Sequence, residues 1–528
     1  MKYLLRSLFT FLALYGLVAV VADVAYFKHG LSISLAVQIA TAIILLQYLI
    51  APVMIRLLMD IDWNAQLPAR NLAFLRGLCE KEGLPMPALG IIRGPAPNAF
   101  TFGRLQSDAS IVVTSGLLES LTEEEVNAVL AHEAGHIKHW DFLAITIAAI
   151  APLLLYQLYA LVRNYRDDRW SAWLAYAAYW VSEFIVLSLS RTREYWADDF
   201  AAKAIGDPGY LSSGLVKICY GMAQVQMKGE WAKDHGTDQE KAEARKQCFM
   251  AGKIGVMGIS TGQAAFALSG PSPQEAASLM RWDLENPWAR IYELRSTHPL
   301  TALRVKAMND LSVQAGKPAR FPLPKSTGIQ WGRFPLELVL CGAPWVLGLA
   351  TIALRPLVYY KAGMSEAPAL PGYVPALLAF ATLGAILDRI LYRYHGEFER
   401  ATVLSLKQDV MPSEIRPRAV ILEGTIAGRA EPGRFWSPDL LIKDDTGMMF
   451  VLDRQSIPLA RVFVAQGVDA WIGKKVKLEG WYRRGLMPYV ELSRLTSESG
   501  EVLHRSYSFW IQLAGAVVGT GVVYWFVG

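Results

Sequence analysis

The chain carries little charge and few cysteines. Only 19% of its 528 residues are Asp, Glu, Lys or Arg, against roughly 25% in an ordinary soluble domain, which argues against a wholly soluble or disordered protein. The 4 cysteines, Cys79, Cys219, Cys248 and Cys341, lie far apart with no C-x-x-C pair. Neither a disulfide framework nor a cysteine zinc site is indicated, and a reducing compartment suits them. A net charge of +5 is small for this length, so it makes no case for a nucleic-acid partner. Internal repeats and low-complexity tracts are also missing. What is abundant is apolar: 53% of the residues are hydrophobic, and the 16 Trp and 22 Tyr suit membrane spans with aromatic residues near their ends.

Only a helix or a closed barrel satisfies its backbone in hydrocarbon, and a helix needs about 20 apolar residues to cross. Seven stretches qualify: about Ser7–Phe27, Ser32–Ile55, Phe142–Val162, Trp170–Ser190, Pro335–Leu354, Ala367–Leu387 and Ser508–Val527. Lys2 and Arg6 before the first run resemble a signal peptide, but Val20-Val21-Ala22 is a poor cleavage site and a second span follows at once, so the reading is an uncleaved anchor. The Lys and Arg bias near span ends puts the N-terminus inside. Residues 56–141, 191–334 and 388–507 are then cytoplasmic, and Gly528 lies outside.

The fold expected is a mainly α polytopic membrane protein. It comprises two N-terminal spans (1–55), a large domain (56–334) that includes the membrane hairpin 142–190, two further spans (335–387), a cytoplasmic region (388–507) and a last span (508–528). Within 56–141 a helical stretch around Leu72–Cys79 precedes β-type runs Ala88–Arg93, Ala99–Arg104 and Ser110–Thr114, then a long helix. Thr122 and Glu125 have capping-box spacing at its start, and Glu123 and Glu124 add charge that the helix dipole favours. Segment 191–334 reads as mostly helical with an unresolved insertion about 228–287. Runs Arg418–Arg429, Leu440–Leu452, Lys475–Arg484 and Pro488–Leu495, a hairpin turn at Asp444–Gly447 and a helical piece near Ile457–Gln466 predict a small OB-like barrel over about 418–496.

One helix carries His132-Glu133-Ala134-Gly135-His136, an H-E-x-x-H pattern. Two histidines four residues apart share a helical face and can share a tetrahedral zinc, while the intervening Glu133 can reach a water as general base. The other reading is a surface histidine pair. A third ligand follows from geometry. The spans 142–162 and 170–190 are joined by a short loop and form an antiparallel hairpin centred near Arg166, so Glu194 stands at about the height of His136. His-His-Glu is the ligand set of a catalytic zinc with an open position. Asp198, one turn beyond Glu194, can orient a ligand imidazole, or it is an ordinary salt-bridging carboxylate. His139 is spaced too tightly to serve as a ligand.

Together His132–His136, Arg193-Glu194-Tyr195-Trp196-Ala197-Asp198, and Ser296-Thr297-His298-Pro299 with Arg304 resemble the membrane gluzincin peptidases of the HtpX type and the related CAAX prenyl endopeptidases, over roughly residues 1–312. The resemblance implies a zinc endopeptidase in a membrane, a cell inner membrane being the expected one, with its site facing the cytoplasm. It also implies that Asn98-Ala99-Phe100 is an edge segment holding an extended substrate backbone; the alternative is a plain edge strand. His298 either stabilises an oxyanion with Arg304 holding nearby carboxylates, or it caps a helix begun at Pro299. Arg281-Trp282-Asp283 and Asn286-Pro287-Trp288-Ala289-Arg290 are similar to longer members of the group.

The expected partners are a protein or peptide substrate and the lipid bilayer, and the expected reaction is peptide-bond hydrolysis with Glu133 as base. The sequence leaves three alternatives: processing of lipid-modified CAAX-type C-termini, an inactive membrane scaffold, and nucleic-acid binding by the barrel through Trp481, Tyr482, Arg483, Arg484 and Tyr489, aromatics that suit a barrel core better. Glu183 lies inside the fourth span on the Glu194 face, and an intramembrane carboxylate normally faces a wet or internal cavity. A polar chamber running from the zinc into the membrane domain is therefore expected. Oligomeric state has no signature in the sequence.

Overall fold

The computed structural model describes residues 2–29, 33–163, 169–235, 273–342, 384, 394, 396–430, 439–453, 467–485, 487–506, 510 and 514. They fall into two compact units, the first built from the chain up to 226 and residues 290–324, the second from 227–235, 273–289 and the chain from 325 onward.

Four helices of the first unit are long and apolar enough to cross a membrane: α1 (Lys2–His29), α2 (Ile33–Leu58), α6 (Asp141–Val162) and α7 (Arg169–Ile205). They coincide with the first four expected stretches. Small residues let their backbones approach, as helices in lipid require: Leu14 of α1 packs with Ala148, Ala151 and Leu189, and Val21 and Ala22 with Leu155, Leu158, Ala175 and Ala178. Tyr15 of α1 donates its hydroxyl to the Ile147 carbonyl at 2.7 Å. α7 has 37 residues, about 55 Å, far more than the hydrocarbon needs. Its last third, from Arg191, carries the charged residues of the site. Of the other three expected spans, only 335–342 and a few single residues are described; the rest lies outside the described residues, as does the helical piece 457–466.

Between the spans lie β1 (Ile61–Asp62), α3 (Ala69–Glu82), β2 (Ala88–Ile92), β3 (Ala99–Phe102), β4 (Ser110–Thr114), α4 (Ser115–Ser120) and α5 (Glu123–Lys138). The sheet order is β1-β2-β4-β3, with β2 parallel and β3 antiparallel to β4. β1 is two residues long and had no periodic signal. Strand alternation sends Phe100 and Phe102 into a core with Met59, Ile92 and Val112, which leaves Thr101 on the opposite face, toward α5. After α7 come α8 (Gly209–His235) and, further along, α12 (Thr301–Gln314). α12 begins two residues after Pro299, so Pro299 precedes the helix and does not open it.

In the second unit α9 (Pro273–Leu279), α10 (Arg281–Glu285) and the start of α11 (Pro287–Leu294) accompany β5 (Glu399–Arg400), α13 (Val403–Gln408) and strands β6 (Arg418–Arg429), β7 (Leu440–Asp444), β8 (Gly447–Leu452), β9 (Lys475–Arg484), β10 (Pro488–Ser497) and β11 (Val502–Arg505). The pairings run β6–β7–β8–β10–β9 and return to β6, all antiparallel except β8 with β10. Val420, Leu422, Ile442, Met449, Leu478 and Val490 are among the side chains that fill the space between them. The Trp282 and Asn286 motif belongs here. Trp282 Nε1 donates to the Pro412 carbonyl at 2.7 Å, Asn286 Nδ2 to Val410 at 3.0 Å, and Trp288 Nε1 to Glu337 at 2.5 Å. Tyr482, Arg483, Arg484 and Tyr489 are all buried, with the Arg484 guanidinium 5.2 Å from the Trp282 ring centroid. Trp481 is half-buried, and the other four present no exposed ring or guanidinium for stacking.

Candidate metal centre

The capping box of α5 is formed: Thr122 and Glu125 each bind the other's backbone N–H. Glu125 also accepts from Ser213 and Lys217 of α8 at 2.5 and 2.7 Å, which anchors the start of the histidine helix. One face of α5 then meets α7. A Cβ on Gly135 would stand 3.1 Å from the Ala197 Cα, so glycine permits the close crossing that brings the two ligand-bearing helices together.

His132 and His136 present their Nε2 atoms 3.1 Å apart. Behind them, His132 Nδ1 lies 3.0 Å from Asp198 Oδ1 and His136 Nδ1 lies 2.6 Å from Asp141 Oδ2. His136 Nδ1–H donates to Asp141, which leaves a lone pair on its Nε2, while His132 Nδ1 stands at ion-pair distance from Asp198 and Arg304 Nη2 lies 3.4 Å from His132 Nε2. Both rings turn Nε2 inward, the arrangement in which two imidazoles share one cation. Glu194 completes the set, its oxygens 3.7 Å from each Nε2, and the three ligand atoms lie within 4.8 Å of one another. Ligands about 2.1 Å from a tetrahedral zinc stand roughly 3.4 Å apart. The donor set therefore fits zinc in chemistry and in spacing.

Arg304, 2% exposed, binds Asp198 through Nε and Nη2 at 3.0 and 2.7 Å and approaches Glu194 at 3.3 Å. Burial disfavours its charge, but the Asp198 and Glu194 carboxylates outweigh that and raise its pKa above the ordinary arginine value. His298 sets Nδ1 3.1 Å from Glu194 Oε1. Arg191 holds the turn before it, donating to the Glu293 and Ser296 carbonyls at 2.8 Å each. Glu133, buried beside the histidines, accepts the Thr101 hydroxyl at 2.5 Å. His139 stands apart from the cluster, stacked on Trp196 at 4.1 Å. Burial first, then Arg193, pushes its pKa down to about 3, so it is neutral.

Asn98, Ala99 and Phe100 are buried, at 0%, 0% and 2% exposure, so their side chains present nothing to a substrate. β3 is the last strand of its sheet, and its backbone is what a peptide could pair with; the Ala99 N–H is already donated to Asn98 Oδ1 at 2.9 Å. Three residues at the site had no sequence signal as such, Asp141, Thr101 and Arg191, and Arg193 stood in the Arg193–Asp198 segment with no role assigned to it. Arg193 contacts both the Asp141 carboxylate and the His139 carbonyl. Asp141 sits five residues after His136, a spacing that shares no face of a continuous helix. It reaches His136 because Trp140 takes a left-handed conformation, φ 59°, and the chain turns sharply between α5 and α6.

Comparison with known proteins agrees with this geometry. Residues 72–312 match the model of peptidase family M48. The chain is 35% identical over 229 residues to the protease HtpX homolog of Methanothermobacter thermautotrophicus, covering 43% of this chain and 89% of that one. It is 39% identical over 148 residues to the protease HtpX homolog of Sulfurovum sp., covering 27% and 54% respectively, and so spans about half of that relative. The crystal structure of S. mikatae Ste24p aligns at a TM-score of 0.33 and 16% identity over 58% of this chain and 65% of that one, too loose a likeness to specify a shared fold. With four helices apolar enough to span a bilayer and most of the Methanothermobacter relative matched at this identity, the chain belongs to peptidase family M48.

Proposed function

We propose that this chain is an integral-membrane zinc endopeptidase that hydrolyses peptide bonds of membrane-associated or misfolded proteins at the cytoplasmic face. The observation that carries the reading is the convergence of two imidazoles and the Glu194 carboxylate within 4.8 Å, with Glu133 buried beside them. His132, His136 and Glu194 would hold the zinc. When bound, it supplies Lewis acidity, acidifying water and polarising the scissile carbonyl. Glu133 takes the proton from the attacking water and delivers it to the leaving amine. His298, whose Nδ1 stands 3.1 Å from Glu194 Oε1, has Nε2 to offer the developing oxyanion. Asp198 and Asp141 hold the ligand rings, and Arg304 balances the charge of Asp198 and Glu194. The β3 edge receives an extended substrate as an added strand.

The cytoplasmic orientation rests on the Lys and Arg bias of the span ends. For the second unit we propose an OB-like barrel, because five strands pair in a closed ring whose single parallel contact is β8 with β10. The deciding experiment is Glu133→Gln. The variant is expected to bind zinc stoichiometrically and to lose peptide cleavage in proteoliposomes. Cleavage at the normal rate overturns the assignment of the base, and absence of zinc from the purified wild type overturns the enzyme reading altogether.

A further inference from the structure

Eleven residues before Glu194 on the same helix stands Glu183, about 16 Å away and within roughly 20° of the same face. Its carboxylate lines a cleft of about 320 Å³ between α6 and α7, together with Pro152, Leu153, Tyr156, Tyr179 and Val186. The stripe of α6 packed on α1 is Ala148, Ala151, Leu155 and Leu158; the cleft uses the neighbouring stripe. Tyr179 stands one turn before Glu183 on the same helix face, and Tyr156 and Tyr179 meet edge to face, ring centroids 5.6 Å apart. Pro152 has no N–H to continue the α6 ladder, which is tolerated in lipid only where neighbours compensate. The lining holds a carboxylate and two phenols and, among the described residues, no Lys, Arg or His. A carboxylate in hydrocarbon is costly, and a phenol donor beside it leaves its charge unneutralised until a cation meets it.

The cleft thus asks for a basic side chain delivered from within the membrane, at a fixed height below the metal centre. We propose that it is an exosite for a membrane-embedded segment of the substrate, which places one Lys or Arg against Glu183 and so sets which peptide bond reaches the metal centre. The inference rests on the peptidase reading above and adds a rule to it. The distance of about 16 Å corresponds to about five extended residues or eleven helical ones. The preferred basic residue therefore lies between five and eleven positions from the scissile bond, on its membrane side. Glu183 acts as a binding residue and takes no part in bond cleavage.

The test uses the full-length protein in proteoliposomes with synthetic poly-Leu spans, each continued by the same cleavable extended tail. A single Lys is stepped through the span one position at a time. The wild type is expected to cut the span with Lys at the matching depth several-fold faster than the all-Leu span, and a shift of half a helical turn should abolish the gain. Glu183→Leu should erase the preference and leave cleavage of a soluble extended peptide unchanged. A depth preference that survives Glu183→Leu, or the absence of any preference in a wild type that cuts the soluble peptide, overturns the exosite and leaves the peptidase reading standing. A binding readout is independent of turnover: Glu133→Gln protein with a photo-crosslinker at Val186 should capture the matched Lys span over the Leu and Glu spans. Equal capture of all three overturns the proposal even if Glu183→Leu does not fold.

Discussion

Thr101 on the edge strand and Glu133 on the histidine helix are joined side chain to side chain, hydroxyl to carboxylate, at 2.5 Å. The same hydroxyl lies 3.4 Å from the Glu133 carbonyl, so one residue of the strand that would carry substrate also steers the proposed general base. A hydrogen bond to a charged group contributes about 1.5–3 kcal/mol. Thr101→Val, which preserves shape, should lower kcat roughly tenfold with KM for an extended peptide and zinc content unchanged, and Thr101→Ser should restore most of the loss. Equal kcat values for the Val variant and the wild type would show that Glu133 is oriented without Thr101.

A second relationship concerns His136, a proposed ligand. Its Nδ1 is held by Asp141, which Arg193 contacts in turn. Asp141→Asn should weaken zinc binding by about 10–100-fold, the usual effect of removing such an orienting carboxylate. Competition against a chelator, read by metal content, measures this directly. Asp198→Asn should do the same through His132 and should also cost more stability, since it removes the carboxylate on which Arg304, 2% exposed, depends. Unchanged zinc affinity in both variants would mean that the ring orientation is fixed by packing alone.

The turn that makes Asp141 available is testable through the backbone. Trp140 has φ 59° and ψ 38°, a conformation that costs an L-residue roughly 1 kcal/mol and a β-branched one more. Trp140→Gly should fold and bind zinc with little change in melting temperature. Trp140→Val should lower the melting temperature and reduce zinc affinity together, because straightening this turn carries Asp141 away from His136. If Val is tolerated as well as Gly, the left-handed turn is not what places Asp141.

How much of this could be read from the sequence depended on periodicity. The start of α5, the histidine pair and the four early spans follow from local rules, and Glu194 follows from the symmetry of a short-looped hairpin. The strands β6 to β10 show their alternation, and Asp444–Gly447 closes the β7–β8 hairpin as expected. Asp141 was hidden by a helix break at a tryptophan, a residue that rarely signals one. Thr101 was hidden because its partner lies 32 positions away, and the contact depends on how strand and helix stack. Trp282, Asn286 and Trp288 stood out as a pattern, yet their task of holding the 410–413 loop and Glu337 is a tertiary contact with no local trace.

Burial of Lys407 in the second unit gives a pH prediction. It is 1% exposed, and burial, then the neighbouring Arg484, push its pKa down to about 7, with Asp444 opposing. An unfolded lysine titrates near 10.4. Between these values the unfolded chain binds more protons than the folded one, so stability is fullest above the unfolded value and falls as pH drops toward 7. Lys407→Met keeps the apolar stem and removes the titration. The variant should therefore melt higher than the wild type at pH 7, by several degrees for a gain of a few kcal/mol, and the gap should narrow as pH rises to 10. Thermal unfolding in detergent at pH 7, 8.5 and 10 supplies the curve. A constant difference across that range would mean that Lys407 stays charged in the folded chain, held by Asp444 against both burial and Arg484.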